Sequence, residues 1–441
     1  MMYTFPKRLK IFSAACMLLG LLGLSYGFLS TPSSVEEAIE MTSSDHHEES
    51  DGNEENNSSG EHMSDQDHEN DSSHGEHLLH KLQNKPWAAL YVSAFFFMMI
   101  SLGVLVFYAI QRAAQAGWPI VLYRVMEGIT AYLLPGGIIV ITILVLSGLH
   151  FNHLFIWMDP EVVAHDELIK NKSVYLNLPF FFIRAIFFLS GWTLYRYFSR
   201  KFSLKQDSAP SNDISNHKKN FKISAAFLVF YFVTESIMSW DWVMSIDPHW
   251  FSTLFGWYVF SSMFVTGITV IALITIYLKN NGYLDFVNDS HIHDLGKFMF
   301  AISILWTYLW FSQFMLIWYA NIPEEVTYFM TRIEDYNLPF FGMLVMNFIF
   351  PLIILMNSSY KRINYIVVMT GIILVLGHYI DVFNMIMPSA VGDQWSIGVS
   401  EIGAFLFFFG LFIYIVFNEL TKAPLLAKGD PFIKESEQYH Y

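Results

Sequence analysis

Seven ionisable side chains lie inside long apolar runs of this 441-residue sequence, and they are its first candidates for chemistry. A charged side chain at the centre of a membrane span costs about 2.5–3.5 kcal/mol on insertion scales, so each is a functional candidate by default. His378 and Asp381 are three residues apart and therefore share a helix face. A carboxylate beside an imidazole can hold a proton and pass it on, so this pair predicts proton transfer. The seven are Glu127, Arg184, Glu235, Asp241, His378, Asp381 and Glu401.

The apolar runs that carry these residues are long enough to cross a membrane. A bilayer core about 30 Å thick needs roughly 20 apolar residues per helix. Hydrophobic residues make up 54% of the chain and charged residues only 15%, which is far from a soluble composition. The sequence therefore predicts an all-α polytopic membrane protein with ten spans. The runs cover residues 10–29, 87–110, 124–149, 175–198, 222–246, 253–279, 294–320, 337–357, 363–385 and 398–418.

The third run contains the Pro135-Gly136-Gly137 triplet together with Glu127. Proline and glycine weaken a helix, and membranes tolerate irregular backbone only where neighbouring protein satisfies it. The triplet predicts a kinked or partly unwound third helix.

The distribution of lysine and arginine predicts the orientation. One set of alternate inter-helix segments and ends holds 19 of these residues, and the other set holds 5. Positive charge marks the cytoplasmic side, so both termini are predicted to be cytoplasmic. Glu235 then lies near the midplane, while Asp241, His378 and Asp381 lie in the outer half of the membrane. Polar residues are expected to thin out toward the cytoplasm, where only Glu127 remains.

This depth map predicts a proton path in the outer half, formed by Glu235, Asp241, His378 and Asp381. Glu235 and Asp241 are six residues and roughly 9 Å apart along the helix, so water or a neighbouring helix must connect them. Arg184 is the expected counter-charge. Glu401 lies near the outer start of the tenth run and extends the candidate path. For each single residue, the alternative is a structural polar contact between helices.

Aromatic and Asp-Pro or Asn-x-Pro sequences recur where helices end on the outer side. Proline ends a helix, and tryptophan and tyrosine favour the membrane interface, which explains the pattern without a functional site. The alternative is that these ends form the mouth of a site or a surface for an extracytoplasmic partner. The candidates for that role are His150, His153, Asp159, Asp247 and His249.

Residues 31–85 form an acidic, histidine-rich segment, which predicts a disordered extracytoplasmic linker. Its histidines are irregularly spaced, so a solvated tether is favoured over metal capture. The apolar run before it is expected to be an uncleaved anchor rather than a signal peptide, because no A-x-A-like site follows. The histidines are His46, His47, His62, His68, His74, His77 and His80.

The cysteine and histidine content limits the cofactors that the chain could hold. Cys16 is its only cysteine, which excludes an internal disulfide, a covalent c-type haem and a thiolate-ligated iron–sulfur cluster within this chain. Only His378 lies well inside a span, so paired imidazole ligands for b-type haem are not expected. The net charge of −14 comes mostly from the linker and predicts no nucleic-acid binding.

Three stretches carry a family resemblance: His150 to Pro160, Ser239 to Thr253 (SWDWVMSIDPHWFST) and Phe311 to Glu325 (FSQFMLIWYANIPEE). They resemble the polysulfide-reductase/NrfD-like membrane subunits of alternative complex III, a bacterial quinol:cytochrome c or quinol:oxidase oxidoreductase. The chain is similar to the second, shorter of the two such subunits, which is labelled quinone-binding.

The resemblance implies two four-helix bundles, helices 2–5 and 6–9, flanked by helices 1 and 10. The predicted division is an anchor at 1–30, the linker at 31–85, bundles at 86–250 and 251–390, and a last span with a cytoplasmic tail at 391–441.

The resemblance also implies a place in the bacterial inner membrane and a set of partners. They are membrane lipid, a sister NrfD-like subunit, an iron–sulfur subunit, multihaem and monohaem cytochrome c subunits and a terminal oxidase. The subunit would hold no redox cofactor of its own and would bind or neighbour quinone or menaquinone, with haem and iron–sulfur centres in its partners. Two other functions stay open: a secondary transporter or ion channel with a site near Pro135 and Arg184, and a structural scaffold.

Overall fold

The computed structural model describes residues 2–41, 65–210 and 212–440, and these residues form helices without any strand. Ten helices of the described residues are long and apolar enough to cross a membrane, which confirms the all-α polytopic fold. They are α1 Lys7–Leu29, α2 Asp65–Ala113, α3 (Tyr123–Ile129 and Leu133–Gly148), α4 Leu178–Asp207, α5 Ser215–Trp242, α6 Phe255–Asn280, α7 Asp289–Ala320, α8 (Asn337–Leu344 and Phe350–Leu355), α9 Asn364–Val391 and α10 Val399–Leu420.

The ten helices pack as two four-helix bundles with a flanking pair. Helices α2 to α5 contact one another in a ring, as do α6 to α9, and α1 packs along α10. The two bundles meet at α2 and α6, whose apolar stretches are almost wholly buried. Glycine permits this contact, because a Cβ at Gly103 would lie 2.3 Å from the Met263 carbonyl oxygen. The predicted arrangement of bundles is therefore the observed one.

The third span is irregular at a different point from the predicted one. A 3₁₀ turn at Thr130–Tyr132 separates its two α-helical parts, and Pro135 follows in the first turn of the second part. A proline in a first turn interrupts no helical hydrogen bond, so the backbone at Pro135-Gly136-Gly137 stays helical. The prediction of an irregular third helix is therefore confirmed, but the irregularity precedes the triplet that was taken as its cause. Gly137 instead brings α3 close to Leu189 of α4.

The predicted disordered linker is also partly wrong. Residues 35–41 are helical, and α2 begins at Asp65, well before the apolar run at 87. Leu82 lies one turn after Leu78 and Leu79, and the three continue the apolar face of α2 into this polar segment. His46, His47 and His62 lie outside the described residues, so their predicted role as part of a tether stays a prediction.

Successive helices run in opposite directions, so the segments between them lie at two faces of the structure. The terminal face carries the residues before α1 and the residues after α10; the opposite face carries the segments that follow the odd-numbered helices α3, α5, α7 and α9. The connections are 114–119, 281–288 and 356–363 at the terminal face, and 149–177, 243–254, 321–336 and 392–398 at the opposite face.

Candidate functional site

The first bundle holds a buried ion pair between α4 and α5. Arg184 donates from Nε to Asp241 Oδ2 at 2.6 Å and from Nη2 to Asp241 Oδ1 at 3.0 Å. Asp241 is fully buried, and the guanidinium is also covered by the rings of Tyr175 and Phe180, 4.1 and 4.2 Å from its central carbon. This two-point contact confirms Arg184 as a counter-charge, and it fixes Asp241 as a structural anion.

Glu235 lies on α5 but does not belong to this pair. Its Oε1 accepts a hydrogen bond from Ser239 Oγ at 3.1 Å, and the side chain is 1% exposed. Among the described residues, no hydrogen bond or ion pair joins Glu235 to Asp241 or to a cation. The two α5 carboxyl groups that were predicted to share a path are therefore separate in the structure.

The second bundle holds a buried carboxyl group with a different environment. Asp381 of α9 is fully buried and accepts hydrogen bonds from three neutral donors on α6 and α7. Ser262 Oγ lies 2.8 Å and Trp306 Nε1 2.9 Å from Oδ2, and the Tyr258 hydroxyl donates to Oδ1. Within the part of the chain that the structure describes, Asp381 forms no ion pair with lysine or arginine.

His378 joins this group through the Ser262 hydroxyl. Its Nδ1 lies 3.0 Å from Ser262 Oγ and 3.4 Å from Asp381 Oδ2, and its ring meets the Trp306 ring edge to face. The hydroxyl bridges the imidazole and the carboxylate, so it can accept a proton from one as it donates to the other. The predicted pairing of His378 with Asp381 is confirmed, and we call Tyr258, Ser262, Trp306, His378 and Asp381 the Asp381 network.

A helix irregularity places a further polar side chain next to this network. Residues Val345–Ile349 of α8 form a π-helical segment, and Asn347 lies in its middle, completely buried. Its amide oxygen approaches Gly377, where a Cβ would lie 2.1 Å away, so glycine is required just before His378. Neither amide atom of Asn347 nor His378 Nε2 has a hydrogen-bond partner among the described residues. Single-turn π segments are frequent at functional sites.

These additional members are hard to recognise from the sequence. Tyr258, Ser262, Trp306 and Asn347 are uncharged and common in apolar helices, so no spacing distinguishes them from packing residues. The one usable signal was Phe350-Pro351, since a proline inside an apolar run predicts a helix irregularity nearby.

An aromatic pocket lies beside the ion pair of the first bundle, at the opposite face. It has a volume of about 350 Å³, and we define it by Tyr175, Trp240, Trp250 and Phe251. The indole N–H groups of both tryptophans lack a hydrogen-bond partner among the described residues. A mostly apolar pocket with aromatic walls suits a planar ring.

Glu401 caps its own helix. Its Oε2 accepts from Gly398 N and Ser400 Oγ, both at 2.9 Å, at the N-terminus of α10, and the side chain is 3% exposed. A carboxylate at this position complements the helix dipole. In the described structure no hydrogen bond links Glu401 to the Asp381 network, so its predicted place in a common path is not supported by contacts.

The five candidates for a site mouth all lie at the opposite face, where they shape loops. Asp159 caps the short helix Pro160–His165, and Asp247 accepts from His249 N. His249 Nε2 lies 2.6 Å from Asp166, while His150 is exposed with a positive φ of 60°. These contacts agree with the helix-termination explanation.

His153, the fifth candidate, is held by Asn84 of α2 and stacks edge to face on His80. Burial, followed by the neighbouring His80 imidazole, lowers the pKa of His153. The described residues contain no group of three or more possible metal ligands, so these two histidines do not belong to a metal cluster there.

The terminal face contains an ionic network that the sequence analysis did not predict. Arg112 of α2 forms an ion pair with Asp430 at 2.7 Å. Arg124 pairs with Glu127 at 2.5 Å and also with Asp207. Of these side chains, only that of Asp207 is not buried. The expectation that polar groups thin out toward this face is wrong. Arg112 and Arg124 lie at helix ends inside the bundle.

This network holds the C-terminal segment against the bundle. Burial raises the pKa of Asp430, but the hydrogen bond with His217 and the charge of Arg112 lower it more, so that the pKa lies below its ordinary value. Ser436 Oγ donates to the Trp118 carbonyl at 2.7 Å, and Val121 N donates to Ser436 Oγ at 3.2 Å. The balance of charges and the many tail contacts indicate a structural role.

Comparison of the chain with protein-family models and with curated proteins finds no match. The function therefore has to be argued from the site itself.

Proposed function

We propose that this chain is a membrane subunit of a respiratory quinol:electron-acceptor oxidoreductase of the alternative complex III type, and that its second bundle carries protons through the outer half of the membrane. In this proposal the opposite face is extracytoplasmic, the membrane is the bacterial inner membrane, and the terminal face lies in the cytoplasm. The carrying observation is Asp381: a fully buried carboxyl group with three neutral donors, an imidazole and no contacting cation among the described residues.

The Asp381 network has the chemistry that a relay needs. A carboxylate that is not in contact with a cation can take up and release a proton without leaving an unpaired arginine behind. Ser262 lies within hydrogen-bond distance of both Asp381 and His378, so a proton can pass by reorientation of one hydroxyl. Asp241 lacks this property, because losing its charge would strand the Arg184 guanidinium in an apolar environment.

The respiratory assignment rests on the three stretches that resemble NrfD-like subunits and on the aromatic pocket. One of these stretches, Ser239 to Thr253, lines that pocket with Trp240, Trp250 and Phe251. Its aromatic walls suit a planar quinone ring. Partner subunits with iron–sulfur and haem centres would then supply the electron transfer, and they would bind at the opposite face near Asp159, Asp247, His249 and Glu324.

Purification in mild detergent tests the assignment to a redox complex. We expect c-type haem and an iron–sulfur protein to co-purify with the full chain. A haem-free homo-oligomer would overturn the proposal and favour a transporter or channel.

The proton role is tested by Asp381→Asn in the purified complex, which keeps shape and hydrogen-bonding capacity but removes the titrating group. We expect normal haem content with slowed quinol oxidation or lost proton movement. Asp241→Asn is the matched control: it changes the same group in the first bundle, and we expect it to impair assembly. Normal turnover and normal proton movement in Asp381→Asn would exclude the relay.

A further inference from the structure

A small cavity in the second bundle adjoins the Asp381 network on the side of the opposite face. It has room for about one water molecule and lies between α6, α7, α8, α9 and the short helix Pro323–Glu334. Tyr258, the hydroxyl donor to Asp381, is part of its wall. The other lining residues used below are Trp310, Gln313, Tyr328, Arg332 and Asn384.

Four side chains in the wall of this cavity carry buried polar atoms that have no hydrogen-bond partner among the described residues. Two of the atoms are donors, Trp310 Nε1 and Arg332 Nη2, and two are acceptors, Gln313 Oε1 and Asn384 Oδ1. Gln313, Arg332 and Asn384 are each less than 5% exposed, so bulk solvent does not reach them. Leaving such an atom unpaired costs about 1–3 kcal/mol, and more for a charged group.

The position of Arg332 is fixed by its other contacts. Its Nε donates to the Asn384 carbonyl at 3.0 Å, its Nη1 donates to the Tyr328 carbonyl at 2.8 Å, and its central carbon lies 3.4 Å from the centre of the Tyr328 ring. The guanidinium therefore cannot turn away to find another acceptor. Among the described residues it forms no ion pair with a carboxylate.

We propose that this cavity is a binding site for an ordered water molecule, held by the four unpartnered atoms of Trp310, Arg332, Gln313 and Asn384. One water molecule offers two O–H donors and two acceptor lone pairs, which is the complement of the two donors and two acceptors in the wall. By turning one O–H from a wall acceptor to the Tyr258 hydroxyl oxygen, the same water would connect to Asp381 through Tyr258.

This inference deepens the proposed function, because the water would be the outer neighbour of the relay. The water itself does not depend on that role: the unpartnered atoms need it whether or not protons move. A positive guanidinium disfavours H₃O⁺ beside it, so the water is neutral at rest and passes protons on without storing them.

X-ray radiolytic footprinting of the purified full-length protein tests the site, because hydroxyl radicals formed from bound water oxidise the adjacent side chains. Met343 and Met385 line the cavity, whereas Met299 of α7 is equally buried away from it. We expect oxidation of Met343 and Met385 to exceed that of Met299. In Gln313→Leu, which removes one acceptor and fills space, oxidation of both should fall to the Met299 level. Equal labelling of all three in the unmodified protein would overturn the proposal.

The direction of the change in Tm in Gln313→Leu gives a second test of the site. If the site is hydrated, Gln313→Leu removes a satisfied hydrogen bond and lowers Tm; if it is dry, the change relieves an unpaired amide and raises Tm. Gln206→Leu is the control, since Gln206 is bonded to the Asp213 carbonyl and to His217 N and must lower Tm. Oxidised methionines together with normal turnover in Asp381→Asn would keep the water and reject only the relay.

Discussion

The two bundles bury carboxyl groups at matching helices, α5 and α9, but neutralise them differently. In the first bundle Arg184 touches Asp241 through two hydrogen bonds. In the second, Asp381 faces neutral donors, and Arg332 lies beyond Tyr258 across a small cavity. A contacting cation favours the ionised form of a carboxylate, and Asp381 lacks one among the described residues. In the proposed function, the buried carboxyl group is therefore a structural contact in the first bundle and a proton carrier in the second.

The difference predicts where a charge removal is most damaging. Arg184→Met leaves Asp241 buried without its cation, and we expect the free energy of unfolding to fall by about 3–5 kcal/mol. Unfolding in mixed detergent micelles measures it. Adding Asp241→Asn removes the stranded charge as well, so the double variant should regain most of the loss. A small effect of Arg184→Met alone would mean that Asp241 is not a structural anion, and the contrast between the bundles would disappear.

The donors of the Asp381 network allow a finer test. Tyr258→Phe removes one hydrogen bond to the carboxyl group, and a bond to a charged acceptor contributes about 1.5–3 kcal/mol. Tyr231→Phe is the matched control, because Tyr231 is also fully buried but donates only to the Met263 sulfur, at 3.4 Å. We expect it to cost at most about 1 kcal/mol, since the acceptor is neutral and weak. Equal costs for the two variants, measured by the same unfolding assay, would indicate that Asp381 is not ionised.

Glu235 is expected to give a smaller effect. It has no cation and one side-chain hydrogen bond, from Ser239, which a glutamine oxygen can also accept. Glu235→Gln should therefore change the free energy of unfolding by less than about 1 kcal/mol. The same variant should slow proton movement only if the proton path reaches the depth of Glu235. A loss as large as that of Arg184→Met would mean that Glu235 has an ionic partner.

The sequence predicted the features that depend on the length of its apolar runs and on the spacing of residues along a helix. Ten apolar runs of spanning length give ten helices, and a spacing of three places His378 beside Asp381. The partner of Asp241 followed from charge alone, because Arg184 is the one cation among the seven ionisable residues of the predicted spans. The neutral donors could not be predicted, since nothing in the types of Ser262 or Trp306 shows which helix they will face.

The errors have equally physical causes. The start of α2 was placed too late because polar residues on one face of a helix hide a leucine stripe on the other. The terminal-face network was missed because Arg112 and Asp430 are more than 300 residues apart, and only packing of the tail onto the bundle brings them together. Arg332 lies between two predicted spans, and the sequence does not show that the short helix Pro323–Glu334 folds it into the second bundle.

The smallest effect is expected at an exposed ion pair, which sets the lower end of the comparison. Lys81 Nζ lies 3.1 Å from Asp393 at the opposite face, where the two side chains are 45% and 57% exposed. Partial burial raises the pKa of Asp393, but the hydrogen bond and the charge of Lys81 lower it more, so that it lies below the ordinary value. A depressed carboxyl pKa stabilises the fold above the unfolded pKa, about 3.9, and the contribution is lost as pH falls through the folded value.

Solvent screening limits what this pair contributes, so Lys81→Gln should lower the free energy of unfolding by less than about 1 kcal/mol at neutral pH. The difference between variant and unmodified protein should shrink in high salt and vanish once the pH falls below the depressed folded pKa of Asp393, where the carboxyl group is protonated in both. Unfolding measured across pH and salt checks both trends. The Arg184 and Asp241 pair, which is shielded from solvent, should show no such salt dependence. A salt-independent loss of several kcal/mol in Lys81→Gln would mean that exposure does not separate weak ion pairs from strong ones. Burial would then be no reason to treat the Arg184 and Asp241 pair as structural.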